Sequence, residues 1–285
     1  MLAWSTVFVA VCLQALPFLV LGVALSAAIS TFVPPSFFAR VLPRHPALAV
    51  PVAGVAGVVL PGCECASVPV AGSLVRRGVP PAAAFAFLLA APAINPVVLV
   101  ATAVAFPGRP EMVGARFVAS LAVAVLMGWL WSLWGRSGWL RLPAPVATAP
   151  GATRVRAFGD AMQHDLVHAG GFLVVGAATA ATLAVLVPRR WLDAVAGSPL
   201  LSVLVLAGLA VVLAICSEAD AFVAASLTSF SLTSRLVFLV VGPAVDVKLV
   251  ALQAGTFGGR FAVRFAPVTL VVAVLVAVGV GEVLL

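Results

Sequence analysis

Apolar runs of about 20 residues recur along this 285-residue chain, separated by short stretches that hold most of its arginines. That spacing constrains the fold more than any other feature. A helix needs about 20 apolar residues to cross a bilayer. Inside lipid every backbone N–H and C=O must be satisfied within the chain, so such runs are expected to be helices. The ten-residue alternating segments of a membrane β-barrel are not seen. Composition agrees: only 9% of residues are charged and 64% are hydrophobic, whereas a soluble domain carries about a quarter charged residues. The expected fold is therefore all-α, a polytopic integral membrane protein. The first run has no charged leader before it and is too long for a signal peptide, so it reads as a retained span. No soluble nucleic-acid-binding role is expected, because the arginines behind the net charge of +7 flank spans.

The chain also repeats itself. Gly62–Leu74 returns as Ile215–Leu227, with Cys63 falling on Cys216 and Ser73 on Ser226, an offset of 153. Upstream, Pro17-Phe18-Leu19-Val20 matches Gly171-Phe172-Leu173-Val174, and downstream Pro92 falls on Pro243. A fused duplication is expected, with residues 1–135 and 161–285 as two transmembrane repeats and 136–160 as a basic linker rich in Pro and Gly. The sequence suggests spans near 5–32, 46–62, 80–106 and 112–134, repeated near 165–187, 199–215, 233–257 and 261–285, about eight in all. The runs 64–76 and 217–229 are too short to cross and read as re-entrant half-helices or extensions of neighbouring spans. Whether the repeats are parallel or inverted stays open, because an odd number of crossings per repeat would invert them. Arg40, Arg44, Arg189 and Arg190 complicate the charge bias if each repeat crosses four times.

The third span of each repeat is broken. Pro92 and Pro96 bracket Asn95, and Gly242-Pro243 precedes Asp246 and Lys248, the chain's only lysine. Proline removes a backbone donor and clashes with the preceding turn. Non-helical backbone is tolerated at membrane depth where protein or a water-filled cavity surrounds it, and paired interrupted helices in two repeats point to a transport site. Asn95, Asp246 and Lys248 are therefore candidate substrate-binding residues, although Asp246 and Lys248 could instead simply neutralise each other. Cys63, Cys65 and Cys216 join them: thiolates are soft ligands for soft metals and metalloids, and three sulfurs from two repeats could meet, so the same three are the candidate metal ligands. Small buried cysteines also pack as apolar side chains, the reading that suits Cys12. Glu218, Asp220 and Glu64 are the candidates for proton coupling, since carboxylates in an apolar chain face cavities or partners. His164, Asp165 and His168 have a metal-like spacing but read better as an interfacial polar turn. Arg76, Arg77, Arg116 and Arg264 read as anchors at span ends.

With these motifs in view, GCECASVPVAGSLVRRGVPPAAAFAFLLAAPAINPVVL, with CSEADAFVAASL and FLVVGPAVDVKLV, resembles the predicted permease family that includes bacterial organoarsenical efflux permeases. The resemblance implies a multi-span inner-membrane permease for a small soft solute, with Cys63, Cys65, Asn95, Asp220 and Asp246 on its motif positions. Glu64, between the two cysteines, departs from the small or polar residue expected there. The expected activity is alternating-access transport of a metal, metalloid or organoarsenical-like species. The expectation includes no enzymatic activity, no cofactor apart from a transported metal or metalloid, and contact with lipid, the solute, and a partner protein or a second copy of the chain. A thiol-redox enzyme using Cys63 and Cys65, or a channel or scaffold subunit of a larger complex, are the alternatives.

Overall fold

The computed structural model describes residues 2–32, 43, 45–59, 64–142, 153–186, 198–217 and 219–285. Among them the chain is all helical, and six helical segments are long and apolar enough to cross a membrane. The sequence-derived positions Cys63, Glu218, Arg40, Arg44, Arg189, Arg190 and the linker's Pro143, Pro145 and Pro150 lie outside the described residues.

The helices are α1 (Leu2–Phe32), α2 (Pro46–Ala56), α3 (Glu64–Arg76), α4 (Pro81–Ile94), α5 (Pro96–Ala105), α6 (Pro110–Trp134), α7 (Arg154–Leu186), α8 (Pro199–Leu213), α9 (Asp220–Ser226), α10 (Leu232–Ala244), α11 (Val247–Phe257) and α12 (Gly259–Leu284). Proline opens α2, α4, α5, α6 and α8. There its fixed φ suits the first turn and its missing N–H has no helical partner to lose.

Two of the expected spans differ. The runs near 46–62 and 199–215 form helices of 11 and 15 residues. At 1.5 Å per residue these are shorter than the roughly 30 Å of hydrocarbon. Pro61-Gly62 follows the first, and Ala214 ends the second with a positive φ of 47°.

The body has two ends. At one, Arg76 pairs with Asp165, His168 meets the Gly255 carbonyl, and Arg141 N–H donates to the Phe257 carbonyl. Phe85, Trp131, Phe257, Phe261 and Phe265 pack into an aromatic cluster near this end, with centroids 4.7–6.1 Å apart. At the other end, Trp4 donates to Thr182, Arg109 opens α6, and Arg235 lies within electrostatic range of Arg109. Helix α2 begins near the first end, where Val50 lies against Gly128, and ends deep, where Gly57 lies against Ala91. Helix α3 starts deep and returns to the same end. Helix α8 packs along α10 in the other half and ends deep, and α9 leads back out.

Close approaches at two glycines set this core. A Cβ on Gly22 of α1 would fall 2.4 Å from the Ala66 backbone in α3, and one on Gly176 of α7 would fall 2.8 Å from the Lys248 backbone in α11. Small residues let membrane helices approach this closely. Both approaches press a long helix onto a short one beside the buried polar centre.

Candidate functional site

Each broken span is interrupted beside a capping side chain, at Asn95 alone in the first and at Val245-Asp246 in the second. Asn95 has extended backbone (φ −68°, ψ 156°) and ends α4 while starting α5. Its side-chain amide donates to the Ala91 carbonyl (3.0 Å), and its Oδ1 accepts the Val98 N–H (3.0 Å). One neutral side chain thus serves orphan groups on both sides of the gap. Asp246 (φ −135°, ψ 168°) starts α11, and its Oδ1 accepts the Leu249 N–H. A carboxylate has no donor to reach back with. Its Oδ2 is buried without a hydrogen bond, 3.9 Å from Lys248 Nζ.

Lys248 is fully buried. Its ammonium lies 2.5 Å from Glu64 Oε1 at the start of α3, donates to the Ala214 carbonyl at 3.2 Å, and has Cys216 Sγ at 4.0 Å. The left-handed turn at Ala214 leaves that carbonyl outside the helical ladder. Glu64 also accepts from the Ser217 hydroxyl at 3.4 Å. Cys65 is fully buried and within electrostatic range of the same ammonium. The sequence-predicted residues Glu64, Cys65, Cys216, Asp246 and Lys248 therefore come together. The Asp246–Lys248 contact is the looser one, because Lys248 turns to Glu64.

A second charge system adjoins this one. Arg116, read from sequence as a span-end anchor, is instead completely buried six residues inside α6. Its guanidinium donates to Asp220 Oδ2 (2.9 Å), to Thr102 Oγ1 (2.9 Å) and to the Ser217 carbonyl (3.1 Å). Ser217 thus joins both systems through its backbone and its hydroxyl. No sequence signal separates Arg116 from Arg264, which lies five residues into α12, almost as deep as Arg116 in α6. Arg264 does behave as an interfacial residue and lies over the Trp139 ring at 4.8 Å. Arg76 is partly buried at the first end, against Asp165 at 3.6 Å.

Among the described residues no three His, Cys, Asp or Glu side chains assemble as a metal-ligand group. His164 and His168 are parallel at 6.4 Å and border an open surface hollow of about 480 Å³ with Asp160 and Gln163. Cys12, Cys65 and Cys216 form no disulfide with one another.

The ArsP_1 family, described as "Predicted permease", matches residues 2–282. The chain belongs to this permease family. It is 36% identical over 283 residues to the UPF0718 protein YcgR of Bacillus subtilis, covering 96% of this chain and 94% of that one. It is 30% identical over 282 residues to a protein of Streptococcus mutans named a putative two-component membrane permease complex subunit, with 96% and 94% covered. No solved structure gives a significant match. This permease is accordingly a multi-pass membrane protein, consistent with the bacterial plasma membrane.

Proposed function

We propose that this permease is a secondary transporter that binds a small soft solute between two inverted repeats and exposes it to each side in turn. One observation carries the reading: Glu64 at the start of α3 in the first half and Lys248 beside the break of the second form a buried ion pair between the halves. Burying ions costs several kcal/mol each and marks function in a membrane-spanning chain.

The repeat reading has its own support. Glu64 and Ser217 hydrogen-bond to each other across 153 residues, the offset of the duplicated motif. Contacts also exchange between halves: α1 packs on α7, α6 on α12, α3 on α11, and α9 on α5. Exchanging each element for its counterpart maps these four contacts onto one another, which supports a two-fold relation, although α6 also packs on α10 without an equal contact between α12 and α4. The first half crosses through α1, α4–α5 and α6, with α2 and α3 as a re-entrant pair. The second crosses through α7, α10–α11 and α12, with α8 and α9 as a re-entrant pair from the other end. Three crossings per half invert the second repeat, the arrangement that supports alternating access. Among the described residues, Arg76, Arg77, Arg136, Arg141, Arg156, Arg260 and Arg264 lie toward the aromatic-cluster end, and Arg109 and Arg235 toward the other. That excess of positive charge favours the first end as the cytoplasmic one.

Buried Cys65 and Cys216 beside the ammonium favour a soft solute, and Cys63 adjoins them in sequence. A resistance and uptake screen across metals, metalloids and organoarsenicals, followed by flux in proteoliposomes, tests this. The expected result is gradient-driven flux of one soft species that Cys65→Ser and Cys216→Ser abolish while the protein still inserts. Flux unchanged in both variants would remove the thiols from the site, and no flux of any soft species would overturn the reading.

The name of the Streptococcus mutans relative favours a second reading, in which the chain is one subunit of a two-component permease. Flux by the purified chain alone counts against it, and flux only after adding a co-purifying membrane subunit supports it.

A further inference from the structure

Two carboxylates, Glu64 and Asp246, surround one ammonium, Lys248, and all three are buried. The nearby buried pair Arg116 and Asp220 holds one charge of each sign, 2.9 Å apart. One negative charge at the centre therefore lacks a partner among the described residues. An uncompensated charge in a low-dielectric interior is far costlier than a proton taken from water. The two carboxylates do not share the deficit equally. Glu64 lies 2.5 Å from the ammonium and also accepts from Ser217. Asp246 uses one oxygen to cap α11 and leaves Oδ2 buried without a hydrogen bond.

We propose that Asp246 is the proton-carrying residue of this permease, taking up a proton on Oδ2 in the closed state and releasing it when the site opens to water. This rests on the transporter reading and moves proton coupling away from Asp220 and Glu64, which are tied to Arg116 and Lys248. The exchange is a simple protonation: Oδ2 gains a hydrogen ion from bulk water and returns it to bulk water, and no covalent bond other than O–H forms or breaks. The titratable groups that act on Asp246 are Lys248 on its own helix and Glu64 from α3, while Cys65 from α3 and Cys216 from the segment after α8 lie within electrostatic range of Lys248. Helix α7 brings Gly176 against the Lys248 backbone, with no charge of its own at that point.

Charge balance makes the assignment specific. Replacing Glu64 with Gln leaves Asp246 and Lys248 as a matched pair, so Asp246 stays ionised. Replacing Lys248 with Met leaves two carboxylates with no ammonium, so protonation increases.

Infrared difference spectroscopy of the full-length protein in lipid, titrated from acid to neutral pH, reads the C=O stretch of a protonated carboxyl directly. At neutral pH the band is expected in the natural protein, absent in Asp246→Asn, absent in Glu64→Gln and stronger in Lys248→Met. The exposed Asp160→Asn is expected to leave it unchanged. A band that persists in Asp246→Asn overturns the proposal. So does a band kept in Glu64→Gln, a variant that retains the Asp246 side chain and covers the case in which Asp246→Asn fails to fold. The spectrum reads protonation without flux, and the solute screen reads flux without protonation, so each claim fails separately.

Discussion

The two helix breaks solve one geometric problem with different chemistry. At Asn95 a neutral amide reaches back to the Ala91 carbonyl and forward to the Val98 N–H, bridging the gap between α4 and α5. At Asp246 the forward bond to Leu249 is kept, while the second oxygen faces Lys248 beyond hydrogen-bond distance. The first break is built for shape and the second for charge. The same contrast holds for the arginines: Arg264 rests on Trp139 at an interface, whereas Arg116 sits inside the body with three partners. In both comparisons one residue of a pair that the repeat reading aligns has a structural or interfacial place, and the other is charged and buried.

The largest effect expected from breaking this contrast is at Arg116. Arg116→Met removes the guanidinium that pairs with buried Asp220 and should cost about 3–5 kcal/mol, read as a lower unfolding midpoint in detergent. Asn95→Ala removes a cap that bridges the break and should cost about 1–2 kcal/mol, with the loss centred on α4 and α5 in hydrogen exchange. Asn95→Asp sharpens the comparison: it keeps the forward cap, deletes the donor to Ala91 and adds a buried charge, so it should be at least as damaging as Asn95→Ala. A milder result there would show that the two breaks are interchangeable. The smallest effect is at the interface, where Arg264→Ala should cost about 0.5–1 kcal/mol and leave solute flux intact.

Much of the frame was legible in the sequence. Apolar run length marked the long helices, and the Pro-Asn-Pro and Gly-Pro-Asp patterns marked both breaks. Two expected spans came out short because run length alone does not distinguish a crossing from a helix that stops at depth. Pro61-Gly62 and the short run after it were the local signs. The pairing of Glu64 with Lys248 was not legible, because local spacing says nothing of partners 184 residues apart. Asp246 and Lys248, two residues apart, made the more obvious pair, but the cap at Asp246 holds its carboxylate against Leu249. Arg116 was misread because sequence spacing groups it with Arg264, and only packing shows which of the two turns inward.

The central claim is that the two halves share one buried electrostatic centre. A double-mutant cycle on unfolding in detergent tests it most directly, using Glu64→Gln, Lys248→Met and the double variant. Coupling of about 2–3 kcal/mol is predicted, with the double variant recovering most of the stability that Lys248→Met loses. Losses that add, with no coupling between the two positions, would contradict it.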